Sequence, residues 1–183
     1  MNKISIKTYK SPIGELLLGS YEGKLCLVDF KYRRMRTSID NRIQKGLKAK
    51  YVEQSSEVIE ETIKQMKEYF AGERKDFDIP LLMVGTDFQK SVWEGLIQVP
   101  YGTTASYLEL SRNIGNEKAV RAVASANGAN AISIMVPCHR IIGSNGDLVG
   151  YAGGLPVKKQ LLDLENNLFT GLSLCKDEID NFK

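Results

Sequence analysis

Val136-Pro137-Cys138-His139-Arg140-Ile141-Ile142 holds the protein's one histidine directly beside one of its three cysteines. Apolar residues flank the pair on both sides: Ile132, Ile134, Met135 and Val136 before it, Ile141 and Ile142 after it. Such a run predicts a buried strand, interrupted at Pro137 because proline has no N–H to give to a ladder. A soft nucleophile and a titratable base therefore stand where buried backbone bends out, a combination that fits a reactive thiol. The plain alternative is a small core side chain, since cysteine is among the most buried residue types. Proline, histidine and arginine in the middle of an apolar run weigh against it.

A chain of 183 residues suffices for one domain, or for two small ones sharing an interface. No apolar run approaches membrane-spanning length, and Met1 to Lys10 carries alternating charge with no apolar core, so neither a membrane span nor a signal peptide is expected. Cys26, Cys138 and Cys175 are too few and too scattered for a disulfide framework, and one histidine leaves no Cys/His cluster at metal-ligand spacing. A cytoplasmic, reducing location is expected, with free thiols and no cofactor. The formal charge of +3 is uneven: residues 1–80 carry 16 basic against 12 acidic side chains, and residues 81–183 carry 9 against 10. The half that holds Cys138 has no basic footprint, so net charge does not point to nucleic acid.

Working outward, the pattern predicts an α/β (α+β) protein. Ile4, Ile6 and Thr8 alternate with polar residues, Ser11-Pro12-Ile13-Gly14 and Glu22-Gly23 make turns, and residues 3–30 read as a three-stranded antiparallel sheet. Cys26 falls in its third strand as a core residue. Residues 31–50 are basic and aperiodic and read as an exposed loop, partly disordered, whose Lys31, Arg33, Arg34 and Arg36 are either solvated or available to phosphate. Val58, Ile59, Ile63, Met66, Tyr69 and Phe70 share one helical stripe, closed by Ala71-Gly72. The turn-forming composition of residues 80–86 predicts a junction, dividing the chain into an N-terminal domain (1–80), a mostly helical C-terminal domain (86–169) and a tail (170–183).

The C-terminal domain opens on a capping box, Thr86-Asp87-Phe88-Gln89, before a helix whose apolar face carries Val92, Trp93, Leu96 and Ile97. A second capping box, Ser106-Tyr107-Leu108-Glu109, starts a short helix ending near Ile114, with Gly115 supplying the left-handed residue. Glu117 to Ala126 then reads as another helix, closed by Asn127-Gly128, so the two form a helix-turn-helix. Four alanines and a serine leave the second helix nearly smooth, with Arg121 its one long charged side chain in the middle. Either the alanines let helices pack closely, or they let backbone approach a narrow groove while Arg121 wedges into a base stack. A final amphipathic helix is expected from Val157 to Glu165, with Pro156 near its start.

Pro137-Cys138-His139-Arg140 followed by two aliphatics resembles the active-site motif of the O6-alkylguanine-DNA alkyltransferases, which repair alkylated DNA and are consumed by doing so. The resemblance covers residues 86–165 closely. It includes Phe88-Gln89 with Val92-Trp93, then Pro100-Tyr101-Gly102, Ser106-Tyr107, Ala119 to Ala126, Asn127-Gly128-Ala129-Asn130, the Cys138 motif and Tyr151-Ala152-Gly153-Gly154-Leu155. The N-terminal half matches only loosely. The resemblance implies that Cys138 is the alkyl acceptor and His139 a base acting through water, with Glu165 orienting the imidazole. Asn130 would brace the active-site turn, and Tyr107 would protonate the departing guanine. It implies that Arg121 replaces a flipped nucleotide, while Ala119, Ala122, Ser125 and Ala126 meet the DNA minor groove. Tyr151, Ala152, Gly153, Asn127 and Ile141 would line the guanine pocket.

The expected partner is double-stranded DNA carrying O6-alkylguanine, with O4-alkylthymine as a second substrate and the protein a monomer. Transfer would be irreversible, because a thioether is not undone by thiol exchange. Some members of the family bind a structural zinc through Cys and His in the N-terminal half; the absence of histidine there predicts none here. A non-catalytic sensor of alkylated DNA is the nearest rival, but in those relatives the acceptor cysteine is replaced. A cysteine hydrolase would want a base on a separate element, facing the thiol. A base-reading helix-turn-helix regulator would want polar side chains where the alanines stand.

Overall fold

Alternating apolar residues and two tight turns fold the first thirty residues into a meander. In the computed structural model, which describes residues 1–166, β1 (Asn2–Ser11), β2 (Gly14–Tyr21) and β3 (Lys24–Phe30) pair antiparallel as expected. A fourth strand, β4 (Ala49–Glu53), adds in parallel to β1, so the sheet order is β3-β2-β1-β4. A parallel return needs a crossover, and the chain supplies it with α1 (Arg36–Leu47). Residues 31–50 are therefore not the exposed loop that their composition predicts. The helix buries only Ile39 and Ile43, one turn apart, and so leaves almost no apolar stripe to read. Nor is its basic cluster simply solvated: Arg33 and Arg36 bond the fully buried carboxylate of Asp29 at 3.1 and 2.8 Å.

Ser56 caps α2 (Glu57–Phe70), which lays Ile59, Met66, Tyr69 and Phe70 against the sheet. The C-terminal half then covers the free edge of β3, where unpaired backbone would otherwise lie open. Leu25 donates to Pro80 O and accepts from Leu82 N, both at 2.8 Å, so residues 80–86 are partly zipped to the sheet. Val28 N donates to Ala131 O at 2.8 Å and its carbonyl accepts from Ser133 N at 2.7 Å. Across this seam one apolar core joins Leu16, Leu18, Val28 and Met66 to Trp93, Leu96, Val123 and Ile132.

Both capping boxes form, opening α3 (Asp87–Ile97) and α4 (Tyr107–Asn113). Gly115 turns the chain at φ +75°, and a single 3-10 turn (Glu117–Ala119) leads into α5 (Val120–Gly128), completing the helix-turn-helix. The strand expected over Ile132 to Val136 is absent. Ser133 and Val136 bridge each other across a tight turn in which Ile134 sits at φ +75°, a left-handed conformation that a β-branched side chain rarely takes. Cys138–Arg140 is one turn of 3-10 helix rather than extended chain, followed by β6 (Ile141–Ile142), which pairs in parallel with β5 (Ala105–Ser106). Pro156 stands in the first turn of α6 (Leu155–Glu165). The predicted tail and Cys175 lie outside the described residues. Among the described residues no helix is long and apolar enough to cross a membrane.

Asp29 ties the end of β3 to α1 by two arginines, and removing one partner of a buried ion pair strands the other. Asp29→Ala is expected to lower the unfolding free energy by about 3–5 kcal/mol, read by urea denaturation. A loss below about 1 kcal/mol would show that the arginines find equal partners elsewhere.

Candidate active site

The bend that ends the expected strand makes the site. The Asn130 side chain spans it, with Nδ2 donating to Val136 O and Oδ1 accepting from Ile132 N, both at 2.9 Å. So braced, the turn delivers Cys138 to the floor of a cavity of about 330 Å³. Its walls include Tyr107, Ala124, Asn127, Gly128 and Asn130 on one side and Gly150, Tyr151 and Ala152 on another. Arg33, Arg34 and Met35, which precede α1, close the third side. The thiol is buried, and burial pushes its pKa above the ordinary value while the Asn130 amide and the Arg33 charge oppose the rise. At rest it is a thiol rather than a thiolate.

His139 is fully buried behind it. Its Nε2 lies 2.7 Å from Glu165 Oε1, and Nδ1 has no hydrogen-bond partner among the described residues. Burial lowers the imidazole pKa, with the Glu165 carboxylate working against the decrease. The neutral ring therefore donates from Nε2 and keeps the Nδ1 lone pair open as an acceptor. Arg140 grips the same carboxylate, Nε to Oε2 and Nη2 to Oε1 at 2.9 Å each, and donates to Val99 O at 2.7 Å. Burial would raise the Glu165 pKa, but the bonds from His139 and Arg140 prevail and hold it down to about 2.

Tyr107 stands at the start of α4, half-buried on the cavity wall; burial and the nearby Cys138 raise its pKa, so it remains a protonated phenol. Tyr151 presents a buried hydroxyl with no partner among the described residues, its ring edge-on to Phe30 at 5.6 Å. Asn127 Oδ1 is likewise buried and unpaired. Among the described residues, two unsatisfied polar atoms, on Asn127 and Tyr151, thus belong to the lining of one cavity and a third, on His139, lies buried behind its floor, where a folded protein normally satisfies almost all of them.

Not every residue expected at the site is there. Ile141 is fully buried in β6 and does not line the cavity; its carbonyl instead accepts from Lys158 Nζ. Gly153 stands behind the wall against the Phe30 ring, which a Cβ there would meet at 2.5 Å. On α5, Arg121, Ala122 and Ser125 are exposed, with Arg121 near the start of the helix rather than its middle. Ala126 is buried in the core instead, where the Trp93 indole packs beside it and donates from Nε1 to Ala126 O at 2.8 Å. Ala119 lies before α5, half-buried against the core.

Several residues escaped the sequence reading. Arg33 reaches the carbonyls of Gly128 and Asn130, the latter at 3.0 Å, and Arg42 reaches Ala129 O at 2.8 Å. Two N-terminal arginines thereby satisfy the last carbonyls beyond α5, where cations complement the helix dipole. Nothing local to residues 31–42 announces a partner some ninety positions away. Arg140 did carry a signal, since an arginine inside an apolar run demands a buried anion.

A buried thiol on the floor of a cavity, backed by an imidazole–carboxylate pair and walled by the second helix of a helix-turn-helix, is the arrangement that cysteine-dependent group transfer on a nucleic acid would need. Comparison with known proteins agrees. Residues 4–83 match the ribonuclease-like domain of 6-O-methylguanine DNA methyltransferase, and residues 87–167 its DNA binding domain. The methylated-DNA–protein-cysteine methyltransferase of Methanosarcina acetivorans is 46% identical over 159 residues, 87% of this chain and 96% of the relative. That of Mycobacterium leprae is 40% identical over 175 residues, 93% of this chain and 98% of the relative. The crystal structure of Mycobacterium tuberculosis OGT in complex with DNA superposes with a TM-score of 0.77 at 38% identity, covering 94% of this chain and 98% of that one. The chain belongs to the 6-O-methylguanine DNA methyltransferase family.

Glu165 titrates near 4.5 when unpaired and near 2 in the fold. Its contribution to stability, about 3 kcal/mol, is complete above the unfolded value and disappears as pH falls through that window. Glu165→Gln is expected to remove this acid-side slope, so that the gap between wild type and variant in urea denaturation narrows as pH drops from about 5 to 3. A gap that stays constant over that range would show that the carboxylate is not held as described.

Proposed function

We propose that this protein repairs DNA by moving an alkyl group from O6-alkylguanine onto Cys138, once per molecule. Family membership carries the coarse statement, DNA repair by alkyl transfer to a cysteine. The observation that supports Cys138 as the acceptor is its place on the floor of a cavity lined by the unsatisfied atoms of Asn127 and Tyr151, with the open Nδ1 of His139 buried behind it. A planar base entering that cavity would give the Tyr151 hydroxyl and the Asn127 oxygen partners. A base inside duplex DNA can reach the thiol only if it is extruded. Exposed Arg121, Ala122 and Ser125 on α5 form the surface suited to approach from the minor groove, with Arg121 filling the gap left in the stack.

The chemistry balances on residues already in place. The thiol proton passes through a water to His139 Nδ1, the open acceptor, while Glu165 stabilises the imidazolium at Nε2. The Cys138 sulfur attacks the alkyl carbon, the carbon–O6 bond breaks, and its electron pair leaves on guanine. Tyr107 gives a proton to the departing ring and recovers one from the imidazolium as the site relaxes. The products are an S-alkylcysteine and an intact guanine. A thioether offers no leaving group to water or thiol, so the acceptor is spent. O4-alkylthymine presents the same alkyl–oxygen bond and is a second substrate, and a monomer carries every group that the scheme uses.

Incubation with a duplex carrying one O6-methylguanine is expected to add one methyl group per molecule, located on the Cys138 peptide by mass spectrometry and absent from Cys138→Ala. Arg121→Ala is expected to slow transfer by about tenfold or more without abolishing it, since losing a stack-filling contact costs on the order of 1–3 kcal/mol. Binding without a thioether would make the protein a sensor of the lesion rather than its repairer. Methylation on another residue would remove Cys138 from the scheme.

A further inference from the structure

Tyr69 is a buried titratable group that the transfer scheme leaves unused. It lies on α2, in the N-terminal half, fully enclosed among Phe70, Phe77 and Tyr101 at ring separations of 5.5, 5.4 and 6.3 Å. A phenylalanine would fill that aromatic nest equally well. The hydroxyl does something more: it donates to Glu165 Oε1 at 2.7 Å, the same oxygen that lies 2.7 Å from His139 Nε2. Arg140 adds a third donor to Oε1, while Oε2 takes Arg140 Nε and, at 3.4 Å, Gly102 N. The Arg140 fork fixes where the carboxylate sits. Tyr69 instead draws on the electron density of the one oxygen that faces the imidazole.

We infer that Tyr69 is a positioning residue of the transfer reaction, which limits through Glu165 how strongly the carboxylate raises the basicity of His139. The inference rests on the reading of His139 as the base. An acceptor shared among three donors gives each a weaker bond, and the bond to an imidazole strengthens most when the ring becomes charged. Without the phenol, Oε1 would hold the imidazolium more tightly, so the ring would keep its proton to higher pH and be less available to take one from Cys138. Other groups also face the ring: Arg140 beside it, Lys158 from α6, Cys138 before it, and Tyr151 edge-on at 6.5 Å between centroids. Burial, Arg140 and Lys158 favour the neutral ring and Glu165 the charged one. Tyr69 acts on the side of the neutral ring, by moderating Glu165.

His139 is the chain's single histidine, so its ring resonances can be followed by NMR without assignment. In the full chain, Tyr69→Phe is expected to raise the His139 titration midpoint by roughly half a pH unit or more, and 3-fluorotyrosine at position 69, a stronger donor, to lower it. The acid limb of the single-turnover rate on an O6-methylguanine duplex should move with the midpoint, giving a fall of about threefold at fixed pH on that limb in Tyr69→Phe. Packing alone would not produce shifts of opposite sign in two replacements that both keep the ring. Midpoints unmoved in both proteins would overturn the inference and leave His139 as base untouched. Midpoints that move while the acid limb stays fixed would overturn the base role instead, and with it any part for Tyr69 in the transfer.

Discussion

The Glu165 carboxylate is where the separate parts of this molecule meet. It lies at the end of α6, and its two oxygens are held by the imidazole of His139, the guanidinium of Arg140 and the phenol of Tyr69. Those donors come from the 3-10 turn that bears Cys138 and from α2 of the N-terminal half. A buried carboxylate is tolerated only when its bonds are nearly complete, so each donor is constrained by the others. The position of the imidazole behind the thiol is then a consequence of packing across the whole chain, rather than of the heptad that contains it.

A second set of buried charges fixes the opposite wall. Asp29, at the end of β3, holds Arg33 and Arg36, and Arg33 together with Arg42 satisfies the carbonyls of Gly128, Ala129 and Asn130. The helix that bears Arg121 and the asparagine that braces the cysteine turn are thus both anchored from the N-terminal half. Backbone pairing along β3 with Pro80–Leu82 and with Ala131–Ser133 makes the same connection. The N-terminal half contributes no atom to the proposed bond exchange, yet it sets the geometry on both sides of the cavity.

Much of this was legible in local patterns. The three antiparallel strands, the helix from Glu57, both capping boxes, the helix-turn-helix and the final helix all follow from periodicity and from short-range chemistry at their ends. The close pairing of His139 with Glu165 was legible only through the family resemblance, since the two lie 26 residues apart with nothing local to join them. What stayed hidden shares one cause, which is that long-range partners override local composition. Residues 36–47 look like loop because only Ile39 and Ile43 face the core, and the helix is tied to the sheet by the ion pair of Arg36 with Asp29. Residues 132–136 look like strand because they are apolar, but on the edge of β3 they meet Val28 alone, and the turn through Ile134 breaks the ladder. Ala126 belongs by spacing to the smooth face of α5, and a tryptophan from α3 claims it for the core.

Burial does opposite things to Cys138 and His139, and the outcome suits the single transfer proposed for them. It raises the pKa of the Cys138 thiol and lowers that of His139, so the resting pair is neutral. A thiolate beside an imidazolium would be nucleophilic at all times and open to any passing electrophile or oxidant. A neutral buried thiol is slow with both. In the proposed transfer, the proton leaves sulfur for the imidazole only as the new bond to carbon forms, and Glu165 already stands beside the ring to stabilise the charge that develops there. The same low-polarity surroundings that suppress the cysteine at rest strengthen that stabilisation once a base fills the cavity. On that proposal reactivity is tied to occupancy by the substrate, which is what an acceptor used once requires.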